Sequence, residues 1–118
     1  MSITVLTPAA VSAKEVLTKF VLLNAVLTNQ TSGIVHLPKG RKWFKCSIAG
    51  TGAVSGTVTW YGNDVESTTG GVLIATSTLS GTTIDATGAD IPSEPMYVYC
   101  VLTGISGTGA AVTASVSV

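Results

Sequence analysis

Charge is scarce in this chain of 118 residues. Asp, Glu, Lys and Arg make up only 10% of it, against roughly 25% in an ordinary soluble domain, so something else must cover the surface. There is one histidine, His36; this excludes a multi-histidine metal site within one chain, and any Ser/His/Asp triad would have to be built around it. Cys46 and Cys100 are the only cysteines, too few for a disulfide framework and without the paired spacing of a zinc site. Two free, buried thiols are the expected state, with a Cys46 to Cys100 disulfide as the alternative. Long apolar runs are also missing. The segment from Val16 to Leu27 is interrupted by Thr18, Lys19 and Asn24 and is shorter than the roughly 20 residues that span a bilayer. The start, Met1 to Val5, has no basic stretch before an apolar run, so the reading is a protein without a signal peptide, made in a cytoplasm and without a membrane partner.

Thr and Ser take the place of charge. The chain has 18 Thr and 12 Ser beside 15 Val and 13 Gly, a mixture that suits pleated, half-buried strands joined by tight turns. Its length fits one domain, residues 1–118. A sparsely charged surface is easiest to account for if partner subunits cover much of it, because interface centres are depleted in charge. The formal net charge is zero, which argues against a nucleic-acid partner. All six basic residues lie before residue 46, opposed there only by Glu15, and the other five acids lie after residue 60. Such a division suits either head-to-tail alignment of copies or a basic edge turned to an acidic partner. It disappears if folding interleaves the two halves.

The pattern along the chain predicts an all-β, antiparallel β-sandwich of seven or eight strands, jelly-roll or immunoglobulin-like. Residues 1–15 read as an extended arm or edge strand. A helix competes only over Val16 to Leu27, where β-branched residues and the following Asn29-Gln30-Thr31-Ser32-Gly33 favour a strand and turn. Short strands are expected at Ile34 to Leu37 and Thr82 to Ala86. Longer ones are expected at Lys42 to Ile48, Val54 to Tyr61, Val72 to Leu79, Met96 to Thr103 and Ala111 to Val118. Ala86 to Pro95 reads as a loop shaped by Pro92 and Pro95. The segment Ile48 to Val58, with Gly50-Thr51-Gly52, is echoed by Ile105 to Val116, with Gly107-Thr108-Gly109, and the two read as two β-hairpins whose tight turns the glycines allow.

Little of this points to catalysis. Both Gly-Thr-Gly turns precede strands, whereas a phosphate cradle needs a helix. His36 lies between Val35 and Leu37 like any strand residue. Asp64 with Glu66, and Asp85 with Asp90, lack the dense acidic loop of a calcium site and read as solvated turn residues. Asn29-Gln30-Thr31 fits a glycosylation sequon but reads as a turn. No cofactor is implied and no enzyme is expected. The aromatic residues come in neighbouring or alternate positions, Trp43 and Phe44, Trp60 and Tyr61, Tyr97 and Tyr99. Adjacent strand residues point to opposite faces, so part of this set is core. Trp43, Trp60 or Tyr97 are the candidates for stacking on a sugar.

From Lys42 onward the order of features resembles a group of small virion structural proteins of tailed bacteriophages. The elements that carry the likeness are Trp43-Phe44-Lys45-Cys46, Gly50-Thr51-Gly52-Ala53 with the strand to Trp60, Gly62-Asn63-Asp64, Leu73 to Thr82, Pro95-Met96-Tyr97-Val98-Tyr99 and Ile105 to Ala110. They span about two thirds of the chain and form a pattern rather than a diagnostic motif. The resemblance implies a β-sandwich that decorates or cements a capsid, or serves in a neck or tail. Its implied partner is the major capsid protein, bound in many copies at the capsid surface, and it carries over no catalytic residues. Docking would bury apolar and Thr-rich patches, add strands from extended arms and be oriented by the basic early segment. The candidate contacts are Ile3, Val5, Lys39, Arg41 and Lys42.

Overall fold

The computed structural model describes residues 19–81, 84–91 and 96–118, so the expected arm and its candidate contacts Ile3 and Val5 lie outside the described residues. Seven strands follow one another: β1 Lys19–Val26, β2 Gln30–Thr31, β3 Val35–Leu37, β4 Gly40–Asn63, β5 Val72–Ser80, β6 Ile84–Ile91 and β7 Met96–Ser117. All pairings are antiparallel and belong to one hydrogen-bonded sheet. The all-β class expected from the Thr- and Val-rich composition is the class observed. No helix forms over Val16 to Leu27 where that stretch is described, because Phe20, Val21 and Val26 pair with β7 instead.

β4 and β7 organise everything else. The first half of β4 pairs with β6 and its second half with β5, while β7 pairs along its length with both halves. The second half of β7 takes β1 on its far side, and its first half takes β2 and β3. β4 also doubles back. At about 3.3 Å per residue an extended strand would hold Phe44 and Trp60 roughly 50 Å apart, yet their ring centroids are 4.8 Å apart. The sheet is therefore folded over on itself, and inward side chains from its two halves form one core. Phe44, Cys46, Ile48, Val54, Val58 and Trp60 from β4 meet Val98, Cys100, Leu102, Val112, Ala114 and Val116 from β7.

The fold-over corrects the two expected hairpins. The echoed segments do not turn back on their own strands. They pair with each other, Ala49 with Ala111, Thr51 with Thr108 and Ser55 with Ser106, across successive register shifts. Those shifts cancel, so the regular ladder from Trp43 opposite Ser117 to Ala49 opposite Ala111 resumes in the same register from Thr57 opposite Thr103 to Asn63 opposite Tyr97. The likeness of sequence is matched by a likeness of backbone. Gly52 and Gly109 have φ of 74° and 68° with open space where a side chain would stand. Gly50 and Gly107 are the close-packed members. A Cβ on Gly50 would lie 2.5 Å from Val54 Cγ1, and one on Gly107 would lie 2.7 Å from both Ala53 O and Val54 Cα. A second correction concerns Ala86 to Ile91, expected as a loop, which belongs to β6 and pairs with Gly40 to Lys45.

Both cysteines are free and buried. Burial pushes the Cys100 thiol up to about 12, with the Ser32 hydroxyl opposing and Cys46 adding to the rise. Burial also raises Cys46, partly offset by the Ser77 hydroxyl and the Trp60 indole N–H nearby. In the unfolded chain both thiols ionise near 9. The folded values are the higher ones, so this contribution to stability is complete below pH 9 and is lost as pH rises toward 12. The thermal midpoint should accordingly fall through that window. A thiol reagent at pH 8 should modify neither cysteine in the native protein and both in denaturant. Rapid native labelling would contradict the buried placement.

Candidate interaction surfaces

Folding the sheet over leaves two outer faces, and strand alternation decides what each displays. Outside the glycine-rich corner at residues 49–53 and 103–109, the buried positions of β4 from Lys42 on are even-numbered; β7 follows the same alternation except that Tyr99 and Ser115, at odd positions, are also buried. On the half built from β1, the second half of β7, the first half of β4 and β6, the outward residues of β4 are Arg41, Trp43 and Lys45. Trp43 is 49% exposed. Beside these lie Lys19 and Val21 of β1 and Ala86, Gly88 and Asp90 of β6. Three cations against the one carboxylate of Asp90 make this face basic.

Arg41 is the best-positioned of the candidate contacts. Its guanidinium carbon lies 5.9 Å from the Trp43 ring centroid. Its head rests on the backbone of Gly88, where an added Cβ would stand 2.7 Å from Nη2 and 2.9 Å from Nε. The Asp90 carboxylate is 3.9 Å away, with both side chains more than half exposed, a pair worth well under ~1 kcal/mol. Packing on Trp43 and Gly88 therefore holds Arg41 in place more than the ion pair does. Lys39 is exposed. Lys42 is a correction to the expected set, because it shares the inward side of β4 with Phe44 and Cys46, is 4% exposed and points its ammonium at the Lys39 carbonyl, 3.5 Å away. Its parity with Phe44 is readable in the sequence.

The second outer face, built from β2, β3, the first half of β7, the second half of β4 and β5, carries no Asp, Glu, Lys or Arg among the described residues. Its ladders run Thr31, Val101, Thr59, Thr76 and then Thr103, Thr57, Thr78. Toward the strand ends come Tyr61 and Leu73, with Tyr99 beside Tyr61 but only 3% exposed and covered near Gly71, then His36, Tyr97 and Asn63. His36 stacks on Tyr97 at 4.3 Å with 8° between the rings, and Tyr61 on Tyr99 at 5.4 Å. Of the three aromatic residues considered for sugar stacking, Trp60 is fully buried, Trp43 lies on the basic face and Tyr97 on this one. Ser55 and Ser106 share a 2.9 Å hydrogen bond where the face meets the fold-over.

The division of charge along the sequence is partly undone by pairing, since Arg41 lies opposite Asp90 and Cys46 opposite Asp85. Asp64 and Glu66 escape it, standing exposed in the loop after β4 with Val65 between them, itself 57% exposed. The Asn63 amide shapes that loop by donating to the carbonyls of Ser67 and Thr69 at 3.3 and 2.8 Å. Asn29, in the sequon, accepts a hydrogen bond from the Ile105 backbone N–H at 2.9 Å and so pins a turn to β7. An apolar cleft of about 310 Å³ opens where β4 and β5 meet the ends of β6 and β7, lined by Gly62, Val72, Leu73, Ile74, Ala89, Asp90 and Met96. Among the described residues of that lining, Asp90 is the one ionisable group. Among the described residues no three of His, Cys, Asp or Glu converge as metal ligands. The sequence matches no known protein family and no curated protein.

Proposed function

We propose that this chain is a non-enzymatic virion structural protein of the capsid decoration or cement kind, which binds many times over a lattice of major capsid protein and stabilises it. The observation that supports this reading most is the uncharged outer face. Four strand positions wide, bearing Thr ladders and stacked Tyr and His rings, it has the composition of a surface meant to be covered, since interface centres are poor in charge and rich in aromatic residues. It is carried on hydrogen-bonded strands, which cost little further ordering on docking. Lys39 and Arg41 of the basic side would orient the encounter. The same properties suit a neck or tail component, which differs in location rather than in mechanism.

A carbohydrate-binding module is the second reading, favoured by the His36 and Tyr97 stack on the uncharged face. Two measurements separate the readings. Particles isolated from the host should carry the chain in many copies, and particles lacking it should rupture at lower temperature or in low salt. Placing a charge in the face by Thr76→Lys should abolish particle binding, while an exposed substitution of this kind shifts stability by only about 0.5 kcal/mol. A chain recovered only free of particles and retained on a neutral glycan column would overturn the capsid reading.

A further inference from the structure

The basic face and the Asp64 to Glu66 loop are complementary to each other, and among the described residues the one ion pair is Arg41 with Asp90, so the loop carboxylates do not pair with that face within one chain. Arg41, Trp43 and Lys45 present cation, aromatic ring and cation at alternate positions of one strand. Asp64, Val65 and Glu66 present carboxylate, apolar side chain and carboxylate in an ordered loop. Arg41 and Lys45 are separated by about 13 Å along the strand at 3.3 Å per residue, and both have long side chains that can converge on carboxylates placed over Trp43. The chain as a whole is neutral, so two copies meet without net repulsion, and their local fields favour one orientation.

We propose that the face formed by Arg41, Trp43 and Lys45 docks the Asp64-Val65-Glu66 loop of a second copy of this chain. Val65 covers the exposed ring of Trp43, and the two carboxylates take Arg41 and Lys45. The two surfaces differ, so the contact is heterologous and propagates from copy to copy instead of closing as a twofold dimer. One loop on one face buries less than the roughly 800 Å² per partner of a stable interface. The contact is therefore weak and sensitive to salt, and it grows with local concentration. It goes beyond the capsid reading, because copies can bind a capsid without touching one another and can associate without a capsid.

Sedimentation velocity at low salt over a range of concentrations tests it, using the wild type, the double variant Arg41→Glu with Lys45→Glu, the double variant Asp64→Lys with Glu66→Lys, and an equal mixture of the two variants. The wild type should grow past the dimer with concentration and return to monomer near 0.5 M salt, where screening acts within about 4 Å. Each variant alone should remain monomeric, and the mixture should regain growth because every face again meets a loop of opposite charge. Thermal midpoints of both variants close to that of the wild type show that they are folded. Acrylamide quenching of Trp43 in a Trp60→Phe background should weaken as the species grow. A wild type that stays monomeric or stops at a dimer, variants that associate as the wild type does, or a mixture that stays monomeric would each overturn the proposal.

Discussion

Gly107→Ala should destabilise the protein by about 3 kcal/mol or more, whereas Gly109→Ala, two residues away, should cost only about 1 kcal/mol. Both glycines have positive φ, 109° and 68°, so each substitution carries the strain of a left-handed residue, about 1 to 2 kcal/mol. They differ in what surrounds the new methyl. At Gly109 it meets open space, while at Gly107 it falls 2.7 Å from the Ala53 carbonyl and the Val54 Cα. Those are backbone atoms of the partnering echo and cannot rotate away, so the strands must part and overpacking adds another 1 to 3 kcal/mol. Chemical denaturation of the two variants in parallel measures the difference. Equal losses would mean that the close approach of the two echoed segments contributes nothing.

Trp60→Ala is expected to be the most damaging single truncation, at about 3 to 5 kcal/mol, a large part of the 5 to 15 kcal/mol that holds a domain of this size together. Trp60 is fully buried and packs on Phe44 across the core, so its loss opens a cavity between the two halves of one strand. Trp60→Phe should be far milder, because it keeps an aromatic ring against Phe44 and because, among the described residues, the indole Nε1 makes no well-aligned hydrogen bond, the Cys46 thiol being the polar group beside it. Removing a poorly paired buried donor offsets part of the lost apolar area. Comparing the thermal midpoints of both variants with the wild type checks this order. A Phe variant as unstable as the Ala variant would show that the indole N–H is satisfied in solution, with the Cys46 sulfur and the Ser77 hydroxyl as the groups at hand.

Much of this fold is legible in the chain, and the part that is not has a definite cause. Alternation alone separates Phe44 from Trp43 and Trp60 from Tyr61, and the structure places Phe44 and Trp60 inside and their neighbours outside. The Gly-Thr-Gly segments mislead because glycine at positive φ serves a tight hairpin and a bulged ladder equally well. What distinguishes them is parity. The even-numbered inward positions from Lys42 to Ile48 recur from Val54 to Gly62, and those at Val98, Cys100 and Leu102 recur from Ala110 to Val116, on the far side of the exposed glycine segments, which a two-residue turn between independent strands has no reason to preserve. Lys42 was hidden for the opposite reason. A lysine reads as surface by type, while its place in the alternation assigns it to the core side. The uncharged face is implicit in the composition, but only the pairing of β2, β3, β4, β5 and β7 gathers the Thr and Tyr residues on one side. The acidic loop lies outside the ladders because β4 ends before it, a boundary marked by Asn63.

The doubling of β4 and β7 also has a mechanical side. The two outer faces are made from the same two backbones, with Thr59 and Tyr61 following Trp43 and Lys45 along β4 and no flexible connection between them. At the crease Gly50 and Gly107 lie so close to Val54 and Ala53 that a Cβ on either would overlap them, so the two strands are close-packed there. A load applied to one face reaches the other through covalent strands and their ladder, and the angle between whatever sits on the two faces is set by the chain itself.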